Sequence, residues 1–146
     1  MIEINNRKAK FDYEILDTYE AGIALTGTEI KSIRLGNANL KDTYAIVKNY
    51  EVFLLNMHIS AYKEGNIFNH DENRSRKLLL HKKEILKIRD SIEREGLTLV
   101  PIKLYFKKNR VKILLSIAKG RKTYDKREFI KERDIQRNLK KEYKNF

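Results

Sequence analysis

Residues 100–117 read VPIKLYFKKNRVKILLSI and form the most regularly patterned segment of this 146-residue chain. Apolar side chains occupy every second position in each half, namely Val100, Ile102, Leu104 and Phe106, then Val111, Ile113, Leu115 and Ile117. A period of two predicts two antiparallel strands with one buried face, joined by a short turn at residues 107–109. Because Pro101 has no N–H to donate, its strand is expected to lie at an edge or to contain a bulge.

Two further regions have the composition of β-structure. Residues 13–25 mix β-formers with acids and predict a strand or a long hairpin arm. Residues 45–47 and 52–55 flank the polar run 48–51, which is hairpin spacing. Residues 63–76 predict a polar loop.

Two helices are predicted from their end signals. Thr26 and Glu29 form a capping-box pattern, and Gly36 supplies the C-terminal stop. A second helix ends at Gly96 and is indicated by apolar residues at helical spacing, Ile85, Ile88 and Ile92.

The predicted fold class is mainly β with α. Periodicity is compatible with either a small closed barrel or an α+β sandwich. A closed antiparallel barrel of the OB type, with five or six strands and flanking helices, is favoured because small basic chains often use it to bind RNA.

Charge points to a polyanionic partner. The chain has 32 Lys+Arg against 20 Asp+Glu, a formal net charge of +12. RNA, DNA and anionic membranes are the candidate partners for such an excess. The chain contains no cysteine, no apolar run of membrane-spanning length and no apolar stretch near the N-terminus typical of a signal peptide. These features predict a soluble, cytoplasmic protein.

The C-terminal segment differs from the rest in composition. Residues 119–146 contain 11 Lys+Arg and 5 Asp+Glu, so half of the net charge lies in about a fifth of the chain. Its helical stripe is narrow and consists of Ile135, Leu139, Tyr143 and Phe146. We therefore expect a barrel domain at 1–120 and a basic tail at 121–146 that is disordered when free and helical on a polyanionic partner. A solvated basic helix without contacts is the alternative.

Catalytic signatures are lacking in the sequence. Its three histidines, His58, His70 and His81, do not have metal-ligand spacing, and residues 27–29 lack the lysine of a phosphate-binding loop. Aromatic residues are instead interleaved with Lys and Arg, as in residues 103–107 and 122–127. Cations reach phosphates and aromatic faces stack on unpaired bases, so this composition favours RNA binding over catalysis.

Several ordered blocks of sequence resemble the SmpB family. The blocks are residues 6–9, 19–22, 26–32, 39–45, 57–60, 69–71, 76–81, 104–107, 118–122 and 124–127, and the match extends from about Asn6 to Arg137. The resemblance implies an OB-type barrel that binds the tRNA-like domain of transfer-messenger RNA. It also implies delivery with the elongation factor that carries aminoacyl-tRNA, and entry into the A site of a stalled ribosome, where the tail enters the vacant mRNA channel.

The resemblance also implies roles for individual residues. Glu20, Leu79 and Lys112 match positions that grip the RNA, and Tyr44 is a weaker candidate. The tail residues that match positions acting in the decoding region are Gly120, Asp125, Lys126 and Arg127. Lys112 would supply charge, Glu20 would accept hydrogen bonds from base edges or ribose, and Leu79 would offer an apolar contact. Alternatively, Leu79 belongs to the core and Glu20 is only a salt-bridge partner.

No enzyme activity, cofactor, metal, membrane or small-molecule substrate is implied. The main rival function is that of an OB-type ribosomal protein or initiation factor, and the enzymatic rival is a nuclease using His70 or His81. The family often has glycine where this chain has Asn49-Tyr50, which predicts a longer or strained hairpin turn at that point.

Overall fold

The structure is a computed structural model. It describes residues 2–121, of which 66–68 by their backbone alone, together with Arg127, Ile130, Lys131, Arg133 and Arg137. The strands are β1 (Glu3–Asn5), β2 (Tyr13–Ile23), β3 (Ala38–Asn39), β4 (Tyr44–Lys48), β5 (Glu51–Leu55), β6 (His58–Ile59), β7 (Arg76–Leu79), β8 (Thr98–Lys107) and β9 (Arg110–Gly120). The helices are α1 (Arg7–Asp12), α2 (Gly27–Arg34) and α3 (Lys82–Glu95), with a 3-10 helix at Lys63–Phe68.

Six strands are joined in a ring of antiparallel pairs. The order is β8–β4–β5–β7–β2–β9, and β9 pairs again with β8. The β4–β8 pairing is a single residue pair, Ala45 with Leu99, whereas β9 pairs with β2 and β8 over most of its length. β1 adds to β8, and β3 pairs with β6 in a separate two-stranded sheet. The predicted mainly β architecture with helices is thus confirmed.

The predicted alternation holds for β9 at Val111, Ile113, Leu115 and Ile117 and for β8 at Leu104, but it is wrong for the start of β8. There Leu99 joins the main core, and Val100 packs with Ala9 and Ala118 in a second cluster, because the bulge at Pro101 reverses which residues point inward. Leu104, Ile113 and Leu115 are fully buried, and the neighbouring residues Lys103, Lys112 and Leu114 are not. The apolar faces of α2 and α3 join this core through Ile33, Ile85 and Ile88. Beyond the bulge, the strand pattern therefore identifies the inner face of the ring and leaves the outer face for contacts with partners.

The Pro101 bulge is confirmed, and it anchors a helix that the pattern did not predict. The β8–β9 register shifts between Pro101 and Lys103. The Asn6 side chain donates to the Pro101 carbonyl at 2.9 Å, and the Asn6 N–H donates to the Ile102 carbonyl at 2.8 Å. The Asn6 Oδ1 also accepts from the Ala9 N–H, which caps α1. The bulge thus frees carbonyl groups that hold the N-terminal segment in place.

Both hairpins close with two-residue turns. Asn49 and Tyr50 have φ of 51° and 63°, and Lys108 and Asn109 have φ of 51° and 63°. Positive φ at both central residues is the type I′ geometry that matches strand twist. The turn at 49–50 is therefore strained and not longer, since Tyr50 adopts a positive φ that usually favours glycine or asparagine.

A buried ionic cluster fastens α2 to the loop that precedes β7. Glu29 and Arg76 are both fully buried and in direct contact, and Arg74 also donates to Glu29. Arg76 donates further to the Met57 carbonyl at 2.6 Å. Burial raises the pKa of Glu29, but hydrogen bonds from Arg74, the Thr26 N–H and Arg76 outweigh it and hold this pKa below its ordinary value. The predicted capping box is confirmed, because Thr26 and Glu29 exchange both hydrogen bonds.

Among the residues that the structure describes, no helix has the length and apolar character needed to span a membrane.

Candidate nucleic-acid interface

Strand register places one row of residues across four strands on the outer face of the ring. Leu79 of β7 lies opposite Gly22 of β2, and Gly22 lies opposite Lys112 of β9. Lys112 in turn lies opposite Tyr105 of β8. Their sequence neighbours Leu78, Ala21, Val111 and Leu104 are buried, so the row itself projects outward.

Gly22 leaves room for the Leu79 side chain above β2. A Cβ at this position would lie 3.3 Å from the Leu79 Cβ and 3.5 Å from its Cδ1. The space above Gly22 is therefore occupied by the Leu79 side chain. A larger residue at position 22 would displace Leu79 from this place.

Glu20 projects from the same face of β2, two residues before Gly22. Its Oε2 accepts from the Tyr105 hydroxyl at 2.6 Å, and the Lys107 Nζ lies 3.2 Å from its Oε1. Hydrogen bonds from Tyr105 and Lys107, with the charges of Lys107 and Lys112, lower the pKa of Glu20. Burial and the bond to Glu20 raise the pKa of Tyr105 to about 12. At neutral pH the carboxylate is charged and accepts hydrogen bonds, and the phenol is a donor.

Three residues of the row, Gly22, Leu79 and Lys112, line an open cleft of about 600 Å³. Glu20, Leu79 and Lys112 all line it. The walls come from α2, the β8–β9 turn and the start of α3, and include Ile30, Asn109, Arg110, His81 and Glu84. Three of the four predicted RNA-binding residues are therefore neighbours, although they are far apart in sequence.

Leu79 is a surface residue. Its side chain is 53% exposed, so the alternative that placed it in the core is wrong. Glu20 does form a salt bridge, with Lys107, yet its side chain remains 38% exposed. Lys112 is half-buried rather than fully exposed as its position in the alternation predicted.

Tyr44 is not part of this cleft. It lies on β4, which is three strands from β2 in either direction around the ring. Its exposed side chain lines a smaller cavity of about 240 Å³ with Asn6, Tyr13 and Thr98. If Tyr44 contacts RNA, it does so from a separate surface.

Of the predicted tail residues, Gly120 lies near the end of the continuously described segment 2–121, and the others follow that segment. Gly120 is exposed, ends β9 and pairs with Tyr13. Asp125 and Lys126 lie outside the described residues. Arg127 is described as helical and exposed. The predictions made for the tail therefore stay predictions.

Two residues that contact Glu20 were not predicted as site residues, namely Tyr105 and Lys107. The alternation of residues 100–106 places Tyr105 on the outward face of β8, whereas Lys107 belongs to the predicted turn. These residues lie close to Glu20 because β9 pairs with both β2 and β8, and sequence periodicity does not reveal that pairing.

The histidines have structural contacts. His70 lies between the Thr28 hydroxyl at 2.9 Å and the Ile59 carbonyl at 2.8 Å, and so ties α2 to the 59–70 segment. His58 lies 3.1 Å from the Asn73 side chain. Within the described part of the chain, no group of three or more His, Asp or Glu side chains is placed to hold a metal ion.

The cleft combines an exposed leucine, basic side chains and a carboxylate held as an acceptor, on the outside of a β-ring. This is the chemistry of a nucleic-acid-binding protein that reads shape, phosphates and hydrogen-bond donors.

Comparison with known proteins agrees with this class. The family model described as "SmpB protein" matches residues 3–145. The SsrA-binding protein of Ligilactobacillus salivarius (strain UCC118) is 58% identical over 141 residues, covering 97% of this chain and 91% of the relative. The SsrA-binding protein of Staphylococcus aureus (strain Newman) is 58% identical over 139 residues, covering 95% of this chain and 90% of the relative.

A solved structure is similar as well. A chain of the structure described as "tmRNA-SmpB: a journey to the center of the bacterial ribosome" has a TM-score of 0.71 and 45% identity. The similarity covers 88% of this chain and 94% of that chain. This chain belongs to the SmpB family.

Proposed function

We propose that this protein binds the tRNA-like domain of transfer-messenger RNA and acts with that RNA on stalled ribosomes in trans-translation. The observation that carries the proposal is the convergence of Glu20, Leu79 and Lys112 in one open cleft. A carboxylate, an exposed aliphatic side chain and a cation together suit a folded RNA surface with base edges, ribose hydroxyls and phosphates. The names of the relatives and the ribosome-bound neighbour support the same partner.

The finer features of the proposal rest on the family resemblance and the fold. The six-strand ring is an OB-type closed barrel, and residues 1–120 form the RNA-binding domain. Residues 121–146 form a tail that becomes helical in the mRNA channel. The complex is delivered with the elongation factor that carries aminoacyl-tRNA, in the cytoplasm, and the protein catalyses no covalent step.

Lys112→Ala is expected to weaken binding to the tRNA-like domain about 10-fold. Removing one cation that meets a phosphate also lowers the slope of log affinity against log salt by about one. Binding should be titrated at three or more salt concentrations. Lys48→Ala is the matched control, because Lys48 is exposed on β4, across the ring from β2. Equal losses in the two variants would mean that general charge, and not the cleft, drives binding.

Changing Asp125, Lys126 and Arg127 together to alanine is expected to spare RNA binding and to abolish tagging of nascent peptides. The reason is a division of labour, in which the barrel holds the RNA and the tail acts in the decoding region. Affinity for the tRNA-like domain and peptide tagging on stalled ribosomes should be measured in parallel. Loss of RNA binding in the triple variant would contradict this division.

A further inference from the structure

The Tyr105 hydroxyl is the group that holds the Glu20 carboxylate in the cleft. It donates to Oε2 at 2.6 Å across the outer faces of β8 and β2. Tyr105 is itself fixed between neighbours, with Glu3 and Lys112 opposite it on the adjoining strands. The Lys103 Nζ also lies 5.3 Å from the centre of its ring. The donor is therefore held by the sheet, while the acceptor is an exposed and flexible side chain.

The hydrogen bonds from Tyr105 and Lys107 leave part of the Glu20 carboxylate free to accept from a bound molecule. A carboxylate offers about four acceptor positions. Tyr105 donates to Oε2, and Lys107 donates to Oε1 at 3.2 Å and, more weakly, to Oε2 at 3.4 Å, so the open acceptor position is on Oε1. Glu20 lines the cleft beside Lys112, so this open position can face a bound molecule.

The charge of Glu20 limits what it can recognise. Its pKa is lowered, so it is ionised throughout the neutral range and accepts hydrogen bonds without donating any. A carboxylate repels phosphates. It accepts from the 2′-hydroxyl of ribose or from an amino group on a base edge. Fixing such a side chain before binding lowers the ordering cost that association would otherwise carry.

We propose that Tyr105 is a positioning residue for RNA recognition, which pre-orients Glu20 as an acceptor for an O–H or N–H donor of the RNA. This inference rests on the proposed function and extends it. Tyr105 acts through Glu20, while Lys112 and Leu79 contact the RNA independently of it. The site thus recognises one hydrogen-bond donor of the RNA as well as the negative charge of the RNA.

A double-mutant cycle tests the proposal. Tyr105→Phe is expected to weaken binding of the tRNA-like domain about fivefold to tenfold, the effect of one hydrogen bond. In a Glu20→Ala background the same change is expected to alter affinity by less than about twofold, because no carboxylate remains to be held. Tyr50→Phe is the matched control, since Tyr50 is 54% exposed and its hydroxyl interacts with Arg89 away from the cleft.

A second readout separates positioning from a structural role. In Tyr105→Phe the pKa of the Glu20 carboxyl, followed by NMR, should rise towards the ordinary value of 4.5. RNA pools carrying 2′-deoxy or inosine substitutions distinguish the two donor sources. One of these two kinds of substitution should weaken RNA binding strongly with the unmodified protein. The same substitution should have no effect with Tyr105→Phe.

The outcomes are separable. Equal effects of Tyr105→Phe with and without Glu20, or no effect in either background, would overturn the inference while leaving the proposed function in place. Failure of the unmodified protein to bind the tRNA-like domain would overturn the proposed function and this inference with it. We expect the cycle to show coupling between Tyr105 and Glu20, together with a Glu20 pKa that is raised in Tyr105→Phe.

Discussion

Leu79→Asp is expected to weaken binding to the tRNA-like domain about 100-fold, or about 2.7 kcal/mol. Leu79 is 53% exposed beside Gly22 and Lys112, so the substitution removes an apolar contact at the centre of the cleft. It also adds a third carboxylate to the cleft, beside Glu20 and Glu84, and this charge repels phosphates. Because the side chain already faces solvent, the free energy of unfolding should change by no more than about 1 kcal/mol.

Fluorescence anisotropy and urea unfolding of the same preparation measure both quantities. Leu16→Asp is the matched control, since Leu16 is a 48% exposed leucine on β2 that does not line the cleft. Equal loss of affinity in the two variants would show that added negative charge anywhere on the surface suffices. A large loss of stability confined to Leu79→Asp would show that this leucine serves the fold.

Glu29→Ala is expected to lower the free energy of unfolding by about 3–5 kcal/mol. Glu29 is fully buried, and removing it leaves the fully buried Arg76 without its carboxylate. Arg74 and the Thr26 N–H lose their acceptor as well. Against a total stability of about 5–15 kcal/mol for a typical domain, this is a large fraction.

Urea unfolding measures this loss, with Glu84→Ala as the control. Glu84 accepts from the N–H of His81 at the start of α3 at 3.0 Å, as Glu29 accepts from Thr26 at the start of α2 at 2.9 Å. Glu84 is half-buried, so its removal should cost about 1 kcal/mol, the usual effect of losing a cap. Similar losses in both variants would mean that capping, and not the buried arginine pair, dominates.

The pH dependence of stability gives an independent test of Glu29. Its pKa is lowered in the folded state, so the stabilisation is fully present above the ordinary value of 4.5 and is lost as pH falls through the lowered pKa. The unmodified protein should therefore lose stability more steeply below that pH than Glu29→Ala does.

Strands and long helices were predictable because their patterns are local. The alternation in residues 100–117 identified the inner face of β9 and of β8 beyond the Pro101 bulge, but not before it, where Leu99 and not Val100 joins the main core. Thr26, Glu29, Gly36 and Gly96 identified helix ends. The six-residue helix α1 was not predictable, since it lacks an apolar stripe and depends on Asn6 contacting a bulge nearly a hundred residues away. The buried Arg76 was missed for a related reason, because arginine is rarely buried without a partner and its partner lies on α2.

In the candidate site, too, some features were predictable from the sequence and others were not. Glu20, Leu79 and Lys112 were named through the family resemblance, but their proximity depends on the register of β7, β2 and β9. Tyr105 was visible as an outward aromatic residue on β8, whereas its bond to Glu20 is a contact between residues 85 positions apart. Long-range strand pairing, which local patterns do not encode, is therefore what assembled the cleft.

A gel-shift titration of the full-length protein with the tRNA-like domain of transfer-messenger RNA, at near-physiological salt and with excess competitor tRNA, addresses the proposed function at its base. Tight binding that survives the competitor, and that Leu79→Asp weakens about 100-fold, is the predicted result. Weak binding that the competitor removes would contradict it and would favour a general RNA-binding barrel of the ribosomal-protein kind.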